Sequence, residues 1–303
     1  MNFADFGMDV ASLAGSVEAK LAAVKAAGFS QVMLSAADLV NHPAGTPAAI
    51  EAVRQSGLRV TGFGTLRDFE GLSGHLHDYK LDVAKAMLSL CHQVGSRLLL
   101  VEASVTTHAV ADPGAVARDL RKLAMLAIPF GINVAFKGLP WSRTVDGYLT
   151  AADVVYRAAC PNLGIAIDAL HFFGTRPSSL EDIDTLEPHR VMLVQLSDCM
   201  WRELRSTEDE LATATHFRVF PGEGVHSDAI SELVRRLDTI GYFRDYSLAV
   251  YNDDYRQLPP EVVAERARRA AVWLGETVLR RSLPVPNVQR LRAQESGIRG
   301  QRK

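Results

Sequence analysis

The 303-residue chain is 48% hydrophobic and 22% charged, proportions of an ordinary globular protein that exclude disorder, collagen and coiled coil. Its 33 Lys and Arg against 35 Asp and Glu leave a formal net charge of −2, with no general field for nucleic acid or anionic lipid. The three cysteines, Cys91, Cys160 and Cys199, have neither CxxC nor Cys/His spacing, so a disulfide framework and a structural zinc site are not expected and a reducing cytoplasm fits best. A basic, apolar leader is missing near Asp5 and Asp9, and no apolar run reaches the roughly 18 to 20 residues of a bilayer span, so neither secretion nor membrane insertion is expected.

Read in chain order, short apolar runs alternate with stretches of helical spacing. A strand over Asn2–Met8 leads to a helix over Val17–Ala27, Gln31–Leu34 to Pro47–Ser56, and Arg59–Gly64 to Tyr79–Val94. Arg97–Glu102 then precedes Pro113–Ile128, Asn133–Lys137 precedes Leu149–Ala158, and Gly164–Asp168 precedes Ser179–Leu186. Val191–Leu196 comes before His226–Ile240, and Tyr246–Tyr251 before Pro260–Arg280. Most of these strands are apolar throughout, as strands covered on both faces must be. Gly28, Gly57, Gly95, Gly131 and Gly241 each close a helix just before a strand.

Eight such units predict an α/β fold, a single-domain (β/α)8 TIM barrel over residues 1–282. An open doubly wound sheet is the weaker alternative, since no strand is followed by GxGxxG or a P-loop. Residues 283–303, with Arg290, Arg292, Arg299, Arg302 and Lys303 against Glu295, are expected to form a basic, flexible tail that does not contact nucleic acid. The segment from Ser197 to Gly224 is long enough for a lid.

Chemistry in such a barrel sits where strands end, which singles out Glu102, Lys137, Asp168 with His171, and Gln195 with Asp198. Lys137 closes an apolar strand and is expected to face the lumen. Asp168 and His171 form a DxxH pair of titratable groups after a buried strand. Trp141, Phe172, Phe173 and Tyr251 read as core packing before they read as a pocket wall.

The runs LRDFEG, PNLGIAIDALHFF, VMLVQLSD, HFRVFPGEG and YSLAVYNDDYR, in this order, resemble the sugar phosphate isomerase/epimerase superfamily of xylose-isomerase-like barrels, and within it the 3-dehydroshikimate dehydratases. The resemblance covers about residues 8–260. It implies one divalent metal held by two glutamates, an aspartate or histidine and a glutamine at the ends of strands 5 to 8. Asp168 and Gln195 stand at two of those ligand positions, with His171 at the neighbouring histidine. The other two depart: AFKGLPW places Lys137 where the family has Glu, and SLAVYND places Ala249 where the family reads SLEIFND. On strand 2, VMLSAADL replaces VEIFENDL and keeps only Asp38.

Two carboxylates exchanged for a methyl and an ammonium predict that divalent metal binding collapses and that no metal or other cofactor is required. At about 4 Å and an effective dielectric near 20, each unit charge contributes on the order of 4 kcal/mol, so a lysine there repels a cation. The expected catalytic set is therefore Lys137, His171, Asp168 and Glu102, Lys137 taking the metal's part with Asp168 and Glu102 as counterions. The resemblance places Arg67, with Asp68 beside it, and Arg218 at positions that hold an anionic or polyhydroxylated substrate; Gln195 is a further expected substrate contact, as is His216, which either assists Arg218 or caps the lid. An arginine fork suits a carboxylate.

Three functions follow as expectations. One is a dehydratase, a lyase acting on a small hydroxylated, carboxylated cyclic ketone. Another is an isomerase or epimerase sharing the same proton abstraction. The last is a non-catalytic binding protein that kept its anion-binding arginines. Lys137 would act as an ammonium or as a Schiff base, with the inherited Asp168 favouring the ammonium. The expected partner is a small-molecule substrate, with a homo-oligomer possible.

Overall fold

The computed structural model of the chain describes residues 5–175 and 178–280. Eight parallel strands close in sequence order: β1 Phe6–Asp9, β2 Gln31–Ser35, β3 Arg59–Arg67, β4 Leu98–Glu102, β5 Asn133–Lys137, β6 Leu163–Asp168, β7 Val191–Leu196 and β8 Tyr246–Leu248, the last pairing with the first. The helices are α1 Val17–Ala26, α2 Ala36–Val40, α3 Thr46–Ser56, α4 Gly74–Gln93, α5 Pro113–Ala127, α6 Tyr148–Ala158, α7 Thr207–His216, α8 Ser227–Thr239 and α9 Pro260–Val272. This is the (β/α)8 barrel. The expected tail, and the start of the expected first strand at residues 2–4, lie outside the described residues.

Local chemistry explains the boundaries. Asp112 caps α5 by accepting from the amides of Gly114 and Ala115, and Pro113 opens its first turn. Gly57 ends α3 in the left-handed region, at φ 71°, which a side chain would resist. In α8 the buried residues Ile230, Leu233, Val234 and Leu237 recur at helical spacing and face the sheet.

Where elements differ from the sequence reading, a physical cause is visible. β3 runs three residues past Gly64 because its register shifts between Phe63 and Leu66, which brings Arg67 level with Glu102. β8 stops at Leu248: the carbonyl of Tyr251 turns away to accept from the Arg218 amide at 3.1 Å. The helix expected over Ser179–Leu186 is a short 3-10 turn, Glu181–Thr185, followed by extended Leu186 and by Glu187, the residue before Pro188, where helix is disfavoured. The last helix leaves α geometry at Trp273 and continues to Val278 as a π-helical turn. Two helices, α2 and α7, lie beyond those the periodicity predicts. Ser35 and Asp38 form the capping box of α2, and Ser206 caps α7, whose first turn carries Glu208, Asp209 and Glu210.

All three cysteines are buried free thiols. Among the described residues no helix is long and apolar enough to cross a membrane.

Candidate active site

Strand parity builds the site. Leu98 and Leu100 on β4, Ala135 on β5, Ala166 on β6 and Leu193 on β7 form, with Met33 on β2 and with Met192, an apolar cluster separate from the main core under the helices. Side chains of a strand alternate faces, so the next inward positions are Glu102, Lys137, Asp168 and Gln195. A polar layer therefore sits directly on an apolar floor. By the same parity β1 contributes Asp9, while the position after Ser247 on the eighth side carries only the methyl of Ala249.

Lys137 is among the largest fully buried side chains of the protein, at 2% exposure. Its ammonium lies 2.9 Å from Glu102 Oε1, donates to Gln195 Oε1 at 2.8 Å and reaches Asp168 Oδ2 at 3.3 Å. Arg218, equally buried, donates from Nη1 to both oxygens of Asp168, at 2.9 and 3.0 Å, and to Ser197 Oγ at 3.1 Å, while Nε donates to the Ala214 carbonyl. On the other flank Arg67 Nε donates to Glu102 Oε2 at 2.7 Å, its side chain 64% exposed. Arg67, Glu102, Lys137, Asp168 and Arg218 thus form one chain of alternating charge that begins and ends on a cation. Its excess of one positive charge favours an anionic ligand.

These partners decide the carboxyl titrations. Burial would raise Glu102, but the charges of Lys137 and Arg67 outweigh it and pull the group down to about 2. Asp168 is likewise held well below the usual carboxylate range, with Arg218 the strongest charge opposing burial. His171 is pushed down to about 4 by burial, so it is neutral at pH 7. Its Nε2 stands 3.8 Å from Asp168 Oδ2 and has no hydrogen-bond partner among the described residues. Asp9 forms no ion pair among the described residues, and burial outweighs the Ala11 amide and the more distant charges of Lys137 and Lys20 and raises it to about 6.

A cavity of 300 Å³ opens above this layer. Its polar side is Arg67, Asp68, Glu102, Lys137, Arg218 and Tyr251; its apolar side includes Trp141 and Leu139. Leu211, Ala214 and Thr215 of α7 also line it, so the segment expected as a lid covers the mouth with a helix. The capped, acid-rich run STEDE was the signal in the sequence for these three residues.

The expected site residues do not all converge on the cavity. Lys137, Glu102, Arg67 and Arg218 line it, and Asp168 and Gln195 support them from the same layer. His171 lies behind them in a 10 Å³ pocket, beneath the edge of Trp141 at 5.6 Å. His216 is exposed, with its Nδ1 2.8 Å from Asp253 Oδ2, and does not line the cavity; its place at the end of α7 turns it outward. Asp38 pairs with Lys20 at 2.7 Å. Of the aromatics read as core, Trp141 and Tyr251 form cavity wall, whereas Phe172 packs on Tyr148 and Phe173 stacks on His226.

The layer does not fit a divalent cation. Asp168 is already bonded to two cations, Gln195 offers its oxygen to Lys137, and the remaining positions supply an ammonium and a methyl. Asp198, Cys199 and His226 also approach one another, but Asp198 accepts the amides of Cys199 and His226, and both the Cys199 thiol and the His226 Nε2 lie on the Trp201 carbonyl. Burial pushes that thiol up to about 11, against the thiolate a metal would need. A larger 640 Å³ depression, lined by Trp201, Arg205, Asp209 and Phe217, holds none of the barrel-mouth groups.

Residues 21–275 match the xylose isomerase-like TIM barrel family. The chain belongs to this family. Among curated relatives, this xylose isomerase-like barrel is 31% identical over 268 residues to a protein of Pseudomonas aeruginosa named 3-dehydroshikimate dehydratase. It is 32% identical over the same length to its Pseudomonas putida counterpart. Each match takes in 88% of this chain and 41% of the relative, so the chain spans about two fifths of their length. A solved xylose isomerase-like TIM barrel/4-hydroxyphenylpyruvate dioxygenase fusion protein superposes with a TM-score of 0.83 at 28% identity, over 91% of this chain and 44% of that one.

Proposed function

We propose that this xylose isomerase-like barrel is a lyase domain of the 3-dehydroshikimate dehydratase kind, acting on a small hydroxylated, carboxylated cyclic ketone without a catalytic divalent metal. The observation that carries the reading is the buried Lys137 ammonium, held by Glu102, Gln195 and Asp168 at the end of β5 and open to the cavity. The matches to the two Pseudomonas dehydratases support the reaction class.

Dehydration beside a carbonyl proceeds through removal of an α-proton, which leaves an enolate, followed by loss of hydroxide from the next carbon. The enolate oxygen needs an electrophile. Lys137 supplies one, substrate oxygen displacing its longest contact, the 3.3 Å one to Asp168, whose charge Arg218 continues to neutralise. Three acceptors around the nitrogen favour an ammonium over a Schiff base. Arg67, exposed at the rim and bonded through one nitrogen, pairs with the substrate carboxylate. Neutral His171, with Nε2 unpaired, takes the α-proton once Trp141 moves off it.

The test is turnover of 3-dehydroshikimate by the chelator-treated protein, followed by the ultraviolet absorbance of the newly conjugated product. Retained activity with metal below a tenth of stoichiometry is the expected result. Activity that vanishes with chelator and returns with added metal overturns the proposal. Borohydride added with substrate leaves no adduct on Lys137 in this reading.

A further inference from the structure

Dehydration also needs an acid for the departing hydroxyl, and the cavity lining narrows the choice. Its titratable groups are Arg67, Asp68, Glu102, Lys137, Arg218 and Tyr251. Five are engaged: the two arginines, Glu102 and Lys137 in the alternating chain, and Asp68 through Oδ1, which accepts the amides of Val105 and Thr106. The Tyr251 hydroxyl alone makes no hydrogen bond among the described residues. Among the other buried tyrosines, Tyr148, Tyr242 and Tyr255 each donate to a protein acceptor at 2.7–2.8 Å, and Tyr246, which does not, is sealed in the core; Tyr79 and Tyr156 are exposed to solvent.

We propose that Tyr251 is a catalytic residue, whose phenolic hydroxyl meets the substrate in the cavity and gives its proton to the departing hydroxyl. The residue is placed for this from two sides. Its carbonyl accepts the Arg218 amide, and Asn252 donates to the Arg218 carbonyl at 2.7 Å, so the end of β8 is tied to the segment carrying Arg218. The Arg218 guanidinium in turn lies 5.4 Å from the centre of its ring. The sequence agrees: against SLEIFND, the run SLAVYND loses a carboxylate at 249 and gains a hydroxyl at 251.

The step balances without an oxidant or co-reactant. The C–O bond breaks with its electron pair going to oxygen, the phenolic proton converts that oxygen to water, and the phenolate formed faces Arg218 and Arg67. The proton taken from carbon restores the phenol through solvent. Burial, with Asp9 and Glu102 nearby, holds the phenol well above its usual titration range, so it is protonated when substrate arrives.

This assignment rests on the dehydratase reading, and the experiment separates the two. Wild type and Tyr251→Phe are compared on 3-dehydroshikimate in heavy water, with exchange at the α-carbon followed by NMR and elimination by absorbance. Phe conserves the ring, and a matching thermal melt checks the fold. Exchange retained within a few-fold while elimination falls about 10²- to 10⁴-fold is expected, because a merely structural role lowers both together. Elimination within threefold of wild type, or both rates falling in parallel, overturns the Tyr251 assignment and leaves the dehydratase reading standing. A wild type inert in both assays overturns the dehydratase reading and this assignment with it.

Discussion

The two sides of the barrel mouth are buried to the same degree and charged oppositely in effect. On the side from β4 to β7, Glu102 and Asp168 each sit between two cations, and Glu102 falls to about 2 although burial acts to raise it. On β1, Asp9 is as deeply buried, has only one amide hydrogen bond within reach and no cation in contact, and rises to about 6. Depth sets the penalty for charge, and the neighbour decides whether the group bears it.

The largest effect comes from removing the cation that joins the paired side. Lys137→Ala leaves Glu102 and Asp168 short of a partner, so denaturant unfolding should show a loss of about 3–5 kcal/mol. Turnover should drop by about 10²-fold or more, with Lys137→Arg restoring part of it. An unchanged midpoint and rate would erase the contrast between the two sides.

Acid titration of stability tests the same contrast. Glu102 has a folded value, about 2, below its ordinary 4.5, so its contribution of about 3 kcal/mol is present above pH 4.5 and disappears as pH falls towards 2. In Glu102→Gln that acid-side slope should flatten.

Asp9 runs the other way. Its folded value, about 6, lies above 3.8, so it lowers stability increasingly as pH rises from about 4 to 6. Asp9→Asn, which keeps an acceptor for the Ala11 amide, should come close to wild type near pH 4 and exceed it by about 3 kcal/mol at pH 7. A constant difference across that range would show that Asp9 does not titrate with the fold.

The smallest effects belong to the rim. Arg67→Ala should raise KM about tenfold while changing stability by less than about 1 kcal/mol, since its side chain is 64% exposed. His216→Ala, outside the cavity, should leave kcat/KM within about twofold of wild type.

The paired side was the more legible in the sequence. Glu102, Lys137 and Asp168 each end an apolar strand, and an apolar run closed by a charge implies a lumen-facing group in a barrel. Arg67 needed the register shift in β3, which residue types do not announce. Asp9 is less legible: its strand has four residues, and the apolar run that marks it ends at Met8, one residue before the carboxylate. His216 sits one residue after the cavity-lining Thr215, and one position on a helix, about 100° of rotation, turned it to solvent. The helix of the lid was written in Ser206 and its following acids but masked by the segment's low hydrophobicity.

The floor of Leu100, Ala135, Ala166 and Leu193 has a kinetic meaning as well. Among the described residues this apolar layer separates the polar layer of the mouth from Gln31 at the base of the barrel. In the proposed dehydration, substrate, product and released water would share the opening among the described residues that lies between the exposed rim residues Arg67 and Val105 and the Leu211 and Thr215 of α7. Traffic through a single doorway is strictly alternating, so the next substrate cannot enter until the product has left. A product analogue should accordingly inhibit competitively against substrate, and the pace of turnover at saturation should follow how readily α7 lets the product pass.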